Sequence, residues 1–177
     1  HPELGYHAGN LLLSAQHTHC GPSGFSYHVI YNMSTPGFHK GVFDKLVQGI
    51  IESILEAEKN KQKGNIQIGK SSFAPDIPVS FNRTVDAYNL NPEVIKYNHE
   101  TRHLAVDREM TLLHFISEKG QPLGSINWFA VHTSNLPNNY NRLCSDNKGF
   151  AATYLEESMH EENQHYVAAF AQGACGD

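Results

Sequence analysis

Apolar positions recur along this chain in two rhythms, one with the period of a strand and one with that of a helix. Residues 10–16, centred on Leu11-Leu12-Leu13, read as a buried strand that runs into a Gly/Pro loop. Between residue 40 and about residue 62, Val42, Leu46, Ile50, Ile54 and Ala57 recur at helical spacing. Asp44, Gln48, Glu52 and Glu56 occupy the other side, which predicts a long amphipathic helix. Gly64-Asn65 ends it, and Ile66-Gln67-Ile68 alternates as a strand. Residues 74–91, with Pro92 just beyond, read as irregular and hold Asn82-Arg83-Thr84. Residues 110–117 and 123–131 predict two strands of a hairpin, joined by Glu118-Lys119-Gly120-Gln121-Pro122, and the second runs into His132. A polar, Asn-rich loop follows. A helix is then expected from about 148 to 161, with Asp146 as N-cap and Phe150, Tyr154, Leu155 and Met159 turned inward. Residues 166–171 form a last buried strand that runs into Gly173-Ala174-Cys175-Gly176-Asp177.

Strands alternating with helices predict an α/β fold, a mixed sheet with flanking helices. Residues 1–177 show no internal repeat, linker or domain boundary. The opening His1-Pro2-Glu3 and the stop at Asp177, just after an apolar run, read as an incomplete part of a larger catalytic domain. No signal peptide is recognisable in the first residues, and no apolar run approaches the length of a membrane span. Net charge is −5 and no basic stripe is present, which argues against a nucleic-acid partner. The three cysteines, Cys20, Cys144 and Cys175, match neither a disulfide framework nor CxxC zinc spacing, so they leave the redox compartment open. With 12 histidines, chance clustering is expected, and only histidines in a structural context carry weight.

That context exists at the carboxyl ends of the apolar strands. In Gln16-His17-Thr18-His19-Cys20-Gly21-Pro22, side chains at i and i+2 of an extended backbone share one face, so His17 and His19 would point together into a cleft. His132 and Asp177 end two other strands. Ligands of open α/β sheets bind beyond the carboxyl ends of strands. If these strands lie side by side, imidazoles from distant sequence could reach one ion, and zinc suits nitrogen ligands. No third protein ligand stands out. The plainer readings are a hydrogen-bonded structural His132, a salt-bridged Arg83, and surface or core roles for His99, His103, His114, His160 and His165. Cys20 and Cys144 could be thiolate ligands, although their spacing fits no known motif.

These segments also carry a family resemblance. His17-Thr18-His19-Cys20-Gly21-Pro22, Phe81-Asn82-Arg83-Thr84, Met110-Thr111-Leu112-Leu113, Ile126-Asn127-Trp128-Phe129-Ala130-Val131-His132, Asp146-Asn147-Lys148-Gly149 and Val167-Ala168-Ala169-Phe170-Ala171-Gln172 occur in order over nearly the whole chain. In this the sequence resembles the neutral/alkaline, zinc-dependent ceramidase family. The resemblance implies hydrolysis of the ceramide amide to sphingosine and a fatty acid. By position it implies His17 and His132 as Zn2+ ligands, His19 beside the metal in the reaction centre, and Arg83 in the substrate site. Asp177 would be the acidic neighbour of a serine nucleophile in a Gly-Asp-x-Ser-Pro-Asn segment, two residues further on. The remaining zinc ligands of the family, a Glu and a Tyr, also lie further along. A secreted, periplasmic or cell-surface setting is implied, with a peripheral membrane surface as a possible contact. Acyl-chain preference and oligomeric state are not legible.

Departures from the family pattern include Ala15-Gln16 for Gly-Thr, Cys20 for Ser, Ser23 for Gly and Thr84 for Ser. Ala174 stands near a usual Asn. They leave the His and Arg identities intact and bear on the shape of the substrate entrance. Two other readings remain: a non-catalytic homologue or fragment, inactive on its own, and a metallohydrolase of a different amide such as a peptide.

Overall fold

The computed structural model describes residues 2–33, 35–137 and 139–175. Four strands, β1 (Gly64–Ser72), β2 (Glu109–Ser117), β3 (Pro122–Phe129) and β4 (Val167–Gln172), form one sheet in the order β1-β2-β3-β4. Three helices accompany them: α1 (Lys40–Lys59), the short α2 (Val85–Tyr88) and α3 (Asp146–Ser158). The expected mixed α/β architecture is present.

β1 and β2 pair antiparallel from Gly64↔Ser117 to Ser72↔Glu109, and the β2–β3 hairpin has a register shift at Phe115/Ile116. β3 and β4 are parallel, in register from Gly124↔Val167 to Phe129↔Gln172. A parallel pair needs a crossover, and α3 supplies it, packed against β4. The consequence for function is direct. Because Phe129 lies opposite Gln172, the residues that follow both strands emerge side by side at one edge of the sheet.

The buried apolar core is built from Val85, Ala105, Phe129, Ala130, Tyr166, Ala168 and Ala171. Phe73 meets Phe129 edge-on, with ring centroids 5.1 Å apart. The Pro-rich loop is tied to β2 by Arg108. Its guanidinium donates to the carbonyls of Phe73 (3.2 Å), Ile77 (2.6 Å), His103 (3.2 Å) and Ala74. Buried Asn82 completes the anchoring, donating to the Ala105 carbonyl at 3.2 Å and accepting from the Thr84 amide at 2.8 Å.

Three expectations need correction. Residues 11–18 are not a strand. They reach β4 only at its last residue, where the Gln172 amide donates to the Ala15 carbonyl at 3.1 Å, and a ladder requires repeated pairs. Leu12 and Leu13 are accordingly 75% and 65% exposed. α3 is rotated relative to its predicted inward face: Phe150 and Tyr154 are 76% and 65% exposed and stack on each other. Half-buried Leu155 and Met159 take the inner side, as expected, together with Glu156. A Glu156 carboxylate oxygen accepts from the Ala168 amide at 2.9 Å, so the helix satisfies a backbone donor of the edge strand it covers. Asp146 is not the N-cap. Ser145 holds that position, and Asp146 opens the helix with φ +53°.

α1 forms where its periodicity places it, three residues shorter at its end, with His39 Nδ1 accepting from the Val42 amide at 3.3 Å. Its apolar stripe is not buried: Leu46 and Ile50 stay exposed, and α1 has no extended contact with any strand. Close packing dictates glycine at several positions, Gly149 among them. A Cβ there would stand 2.4 Å from the Ser145 Cβ, so the first turn of α3 closes only with glycine at this position.

Candidate metal centre

Residues 130–133 leave the end of β3, and the His17 loop crosses the same edge. Thr133, 0% exposed, joins the two. Its hydroxyl donates to the His17 carbonyl and lies 3.4 Å from the Gln16 carbonyl, while its own carbonyl accepts from the His19 amide at 3.4 Å. These bonds hold His17 at φ +67°, a left-handed conformation that costs a non-glycine residue about 1–3 kcal/mol. In this conformation the imidazole of His17 faces those of its neighbours.

Three imidazoles converge as a result. His17 Nε2 lies 3.2 Å from His132 Nε2 and 3.4 Å from His19 Nε2. The ring centroids form a nearly equilateral triangle of 4.9, 4.7 and 5.0 Å, each pair meeting edge to face. One Nε2 cannot both donate to one neighbour and accept from another, so a ring of imidazole nitrogens at this spacing suits a shared cation better than mutual hydrogen bonds. Cys175, just past β4, adds a sulfur: its Sγ and the nearest ring nitrogens of His17 and His132 all lie within 4.8 Å of one another.

The far side of the cluster is built by the start of α3. Asn147 donates through Nδ2 to the His132 carbonyl at 2.9 Å and to Asn135 Oδ1 at 2.8 Å. Asp146 accepts from the Asn147 amide at 2.6 Å and from the Asn135 amide at 3.1 Å. His132 also lines an open groove of about 540 Å³ with Arg83, His103, Phe81, Val79 and Pro78. The structure thus brings His17, His19 and His132 into one cluster and places Arg83 on the groove beside it. Asp177 lies outside the described residues.

Sequence reasoning missed Thr133, Asn147 and Cys175 as builders of this site. Asn147 stood in a quoted block, and Thr133 follows His132 directly, but only tertiary contacts reveal which atoms they hold. It also missed Lys148, which is buried beneath the site and donates to the Phe129 carbonyl at 2.5 Å. Burial lowers its pKa from 10.5 to about 8. The unfolded chain therefore binds more protons than the folded one between about pH 8 and 10.5, so stability should rise with pH in that window and stay flat with respect to this group below it. The urea midpoint of wild type relative to that of Lys148→Met should rise between pH 7 and pH 10. A constant difference would refute the depressed lysine. Val131 and Gly173 amides also donate to the Phe129 carbonyl, so the variant leaves no orphaned acceptor.

Fold and cluster together define an α/β protein with a histidine centre at the ends of its parallel strands. The family description "Neutral/alkaline non-lysosomal ceramidase, N-terminal" matches residues 3–177. The chain is 33% identical to the neutral ceramidase of Pseudomonas aeruginosa over 172 residues, covering 97% of this chain and 24% of that protein. It is 36% identical to a neutral ceramidase of rice (Oryza sativa subsp. japonica) over 152 residues, 86% of this chain and 19% of that one. The crystal structure of the Pseudomonas aeruginosa neutral ceramidase superposes with a TM-score of 0.81 at 34% identity, over 92% of this chain and 24% of that one. A structure of a ceramidase complexed with C2 superposes with a TM-score of 0.76 at 33% identity, over the same shares. The chain belongs to the neutral/alkaline non-lysosomal ceramidase family, as its motif blocks suggested. It spans between about a fifth and a quarter of the length of the curated relatives it matches.

Proposed function

We propose that the protein carrying this chain hydrolyses the amide bond of ceramide to sphingosine and a fatty acid, at a zinc centre held in part by His17 and His132. The observation that carries this reading is the convergence of three imidazoles beside a groove shared with Arg83. The names of the relatives favour ceramide over other amides.

The donor set fits zinc. Bonds of about 2.0–2.1 Å in a tetrahedral shell set neighbouring nitrogens about 3.3 Å apart. The observed separation between the two proposed ligands, His17 Nε2 and His132 Nε2, is 3.2 Å. When bound, zinc supplies Lewis acidity to an amide carbonyl and to the attacking hydroxyl. His19, whose amide donates to the Thr133 carbonyl, would donate to a developing oxyanion or return a proton to the leaving amine. Arg83 offers guanidinium donors to a substrate hydroxyl or amide oxygen. The side chains of Pro78, Val79 and Phe81 line the same groove and provide apolar contact for an alkyl chain. Asp177, by the family pattern, neighbours the serine nucleophile.

No helix among the described residues is long and apolar enough to cross a membrane. By the family resemblance, the lipid substrate on this reading is met at a peripheral membrane surface, in an extracellular, periplasmic or cell-surface setting. The test sets the complete protein against the 177 residues alone, with N-acylsphingosine and with peptides as substrates. The complete protein is expected to cleave N-acylsphingosine and the isolated segment to be inactive. Arg83→Ala should raise KM by about tenfold or more, with a smaller change in kcat, the loss of a charge-assisted hydrogen bond worth about 1.5–3 kcal/mol. Cleavage of peptides without cleavage of ceramide would replace this reading with that of a different metallohydrolase.

A further inference from the structure

Two of the three cysteines meet immediately behind the imidazole cluster, although they are far apart in sequence. The Cys144 amide donates to the Cys20 carbonyl at 3.1 Å. The Thr18 hydroxyl donates to the Cys144 carbonyl at 2.6 Å and accepts from the Cys20 amide at 3.2 Å. With standard bond lengths, this pairing puts the two Cα atoms about 5–7 Å apart, the span a disulfide bridges. Both thiols are free and half-buried, and Cys175 lies on the other side of the cluster, with His17 and His132.

We infer that Cys20 and Cys144 form a reversible disulfide that staples the His17-Thr18-His19 loop to the start of α3. The backbone contacts already present hold the two segments together, so closure calls on the two side chains rather than on docking of the segments. The proximity has an electrostatic trace: the Cys20 thiol is pushed up chiefly by burial, and next by the charge of Cys144. The chemistry balances with a small-molecule disulfide such as oxidised glutathione as the oxidant. One cysteine thiolate attacks it, forming a mixed disulfide and releasing one glutathione thiolate. The second cysteine thiolate then attacks the protein sulfur, closing the Cys20–Cys144 bond and releasing the second. Both protein protons go to solvent or to the departing thiolates.

The staple would act on the site through two links. Cys20 adjoins His19. Cys144 precedes Asp146 and Asn147, and Asn147 holds the His132 carbonyl. Oxidation would therefore fix the two halves of the cluster relative to each other, while reduction would leave them joined by hydrogen bonds alone.

Peptide mapping tests this on the complete protein, equilibrated natively with excess oxidised or reduced glutathione and then alkylated. Trypsin cuts after Lys40, Arg142 and Lys148, so the bridge appears as the peptide ending at Lys40 linked to Leu143–Lys148. The oxidised sample is expected to yield this species and the reduced sample to lack it. Cys20→Ser and Cys144→Ser should each abolish it while keeping the fold, since a serine hydroxyl can accept from the Asp146 amide as the Cys144 sulfur does. Hydrogen exchange at the His19 and Cys144 amides should slow at least tenfold on oxidation in wild type and not in either variant. Separate glutathione adducts on Cys20 and Cys144, a bridge to Cys175 instead, or unchanged exchange in the bridged form would each overturn the inference.

Discussion

On the proposed zinc and ceramidase reading, replacing His132 with alanine is expected to strip the zinc from the complete protein and to lower ceramide hydrolysis by about a thousandfold or more. The magnitude follows from the several kcal/mol that a catalytic metal contributes to charge stabilisation in the transition state. The site is sensitive because, among the described residues, His17 and His132 are the two imidazoles whose ring nitrogens group with the Cys175 sulfur within 4.8 Å. The backbone should not move. The His132 carbonyl is held by Asn147 at 2.9 Å, and that bond does not involve the side chain. The protein should therefore fold with a small change in midpoint and elute without metal when its zinc content is measured after gel filtration. Zinc at full stoichiometry in this variant would sink the ligand assignment. His103→Ala serves as the control, since His103 lines the same groove outside the cluster and should retain the metal.

The second large effect is expected from Thr133→Val, a substitution that preserves shape and removes one hydroxyl. Thr133 is fully buried and supplies the hydroxyl donor to the His17 carbonyl. Without it, the part-buried bond to the His17 carbonyl is lost, at a cost of about 0.5–1.5 kcal/mol. The φ +67° of His17 would lose the restraint that keeps it in the left-handed region. An outer contact of this kind orients a ligand without touching the metal, and losing one weakens affinity about 10–100-fold. Zinc affinity from competition with a chelator should fall by that range, and Thr133→Ser should restore most of it. Wild-type affinity in the valine variant would show that the His17 conformation is held by something else.

These two residues differ in how visible they were beforehand. His132 could be picked out because it terminates an apolar run at the place where α/β sheets bind ligands. Thr133 could not, because its importance rests on a hydrogen bond to a residue more than a hundred positions away. Asn147 is the same case: it sits in a block that marks the family, yet its contact with His132 appears only when α3 crosses over to join β4. Patterning also overstated the start of the chain. Leu11-Leu12-Leu13 has the composition of a buried strand, but a strand exists only where a partner supplies a ladder, and these residues meet β4 at a single point. The rotation of α3 has a similar origin. Periodicity marks an apolar face but does not count polar partners, and the Glu156 bond to Ala168 favours the turn that leaves Phe150 and Tyr154 outside.

What the chain encodes locally is the set of elements and the family to which it belongs. Strand and helix periods come from side chains a few residues apart, and the motif blocks are contiguous, so both can be read without coordinates. The convergence of His17, His19 and His132 was decided elsewhere. It requires β3 and β4 to run parallel with their ends level, so that residues 130–133 and 173–175 emerge together beside the His17 loop. That register is a product of long-range pairing and of the crossover helix, and no local pattern specifies it.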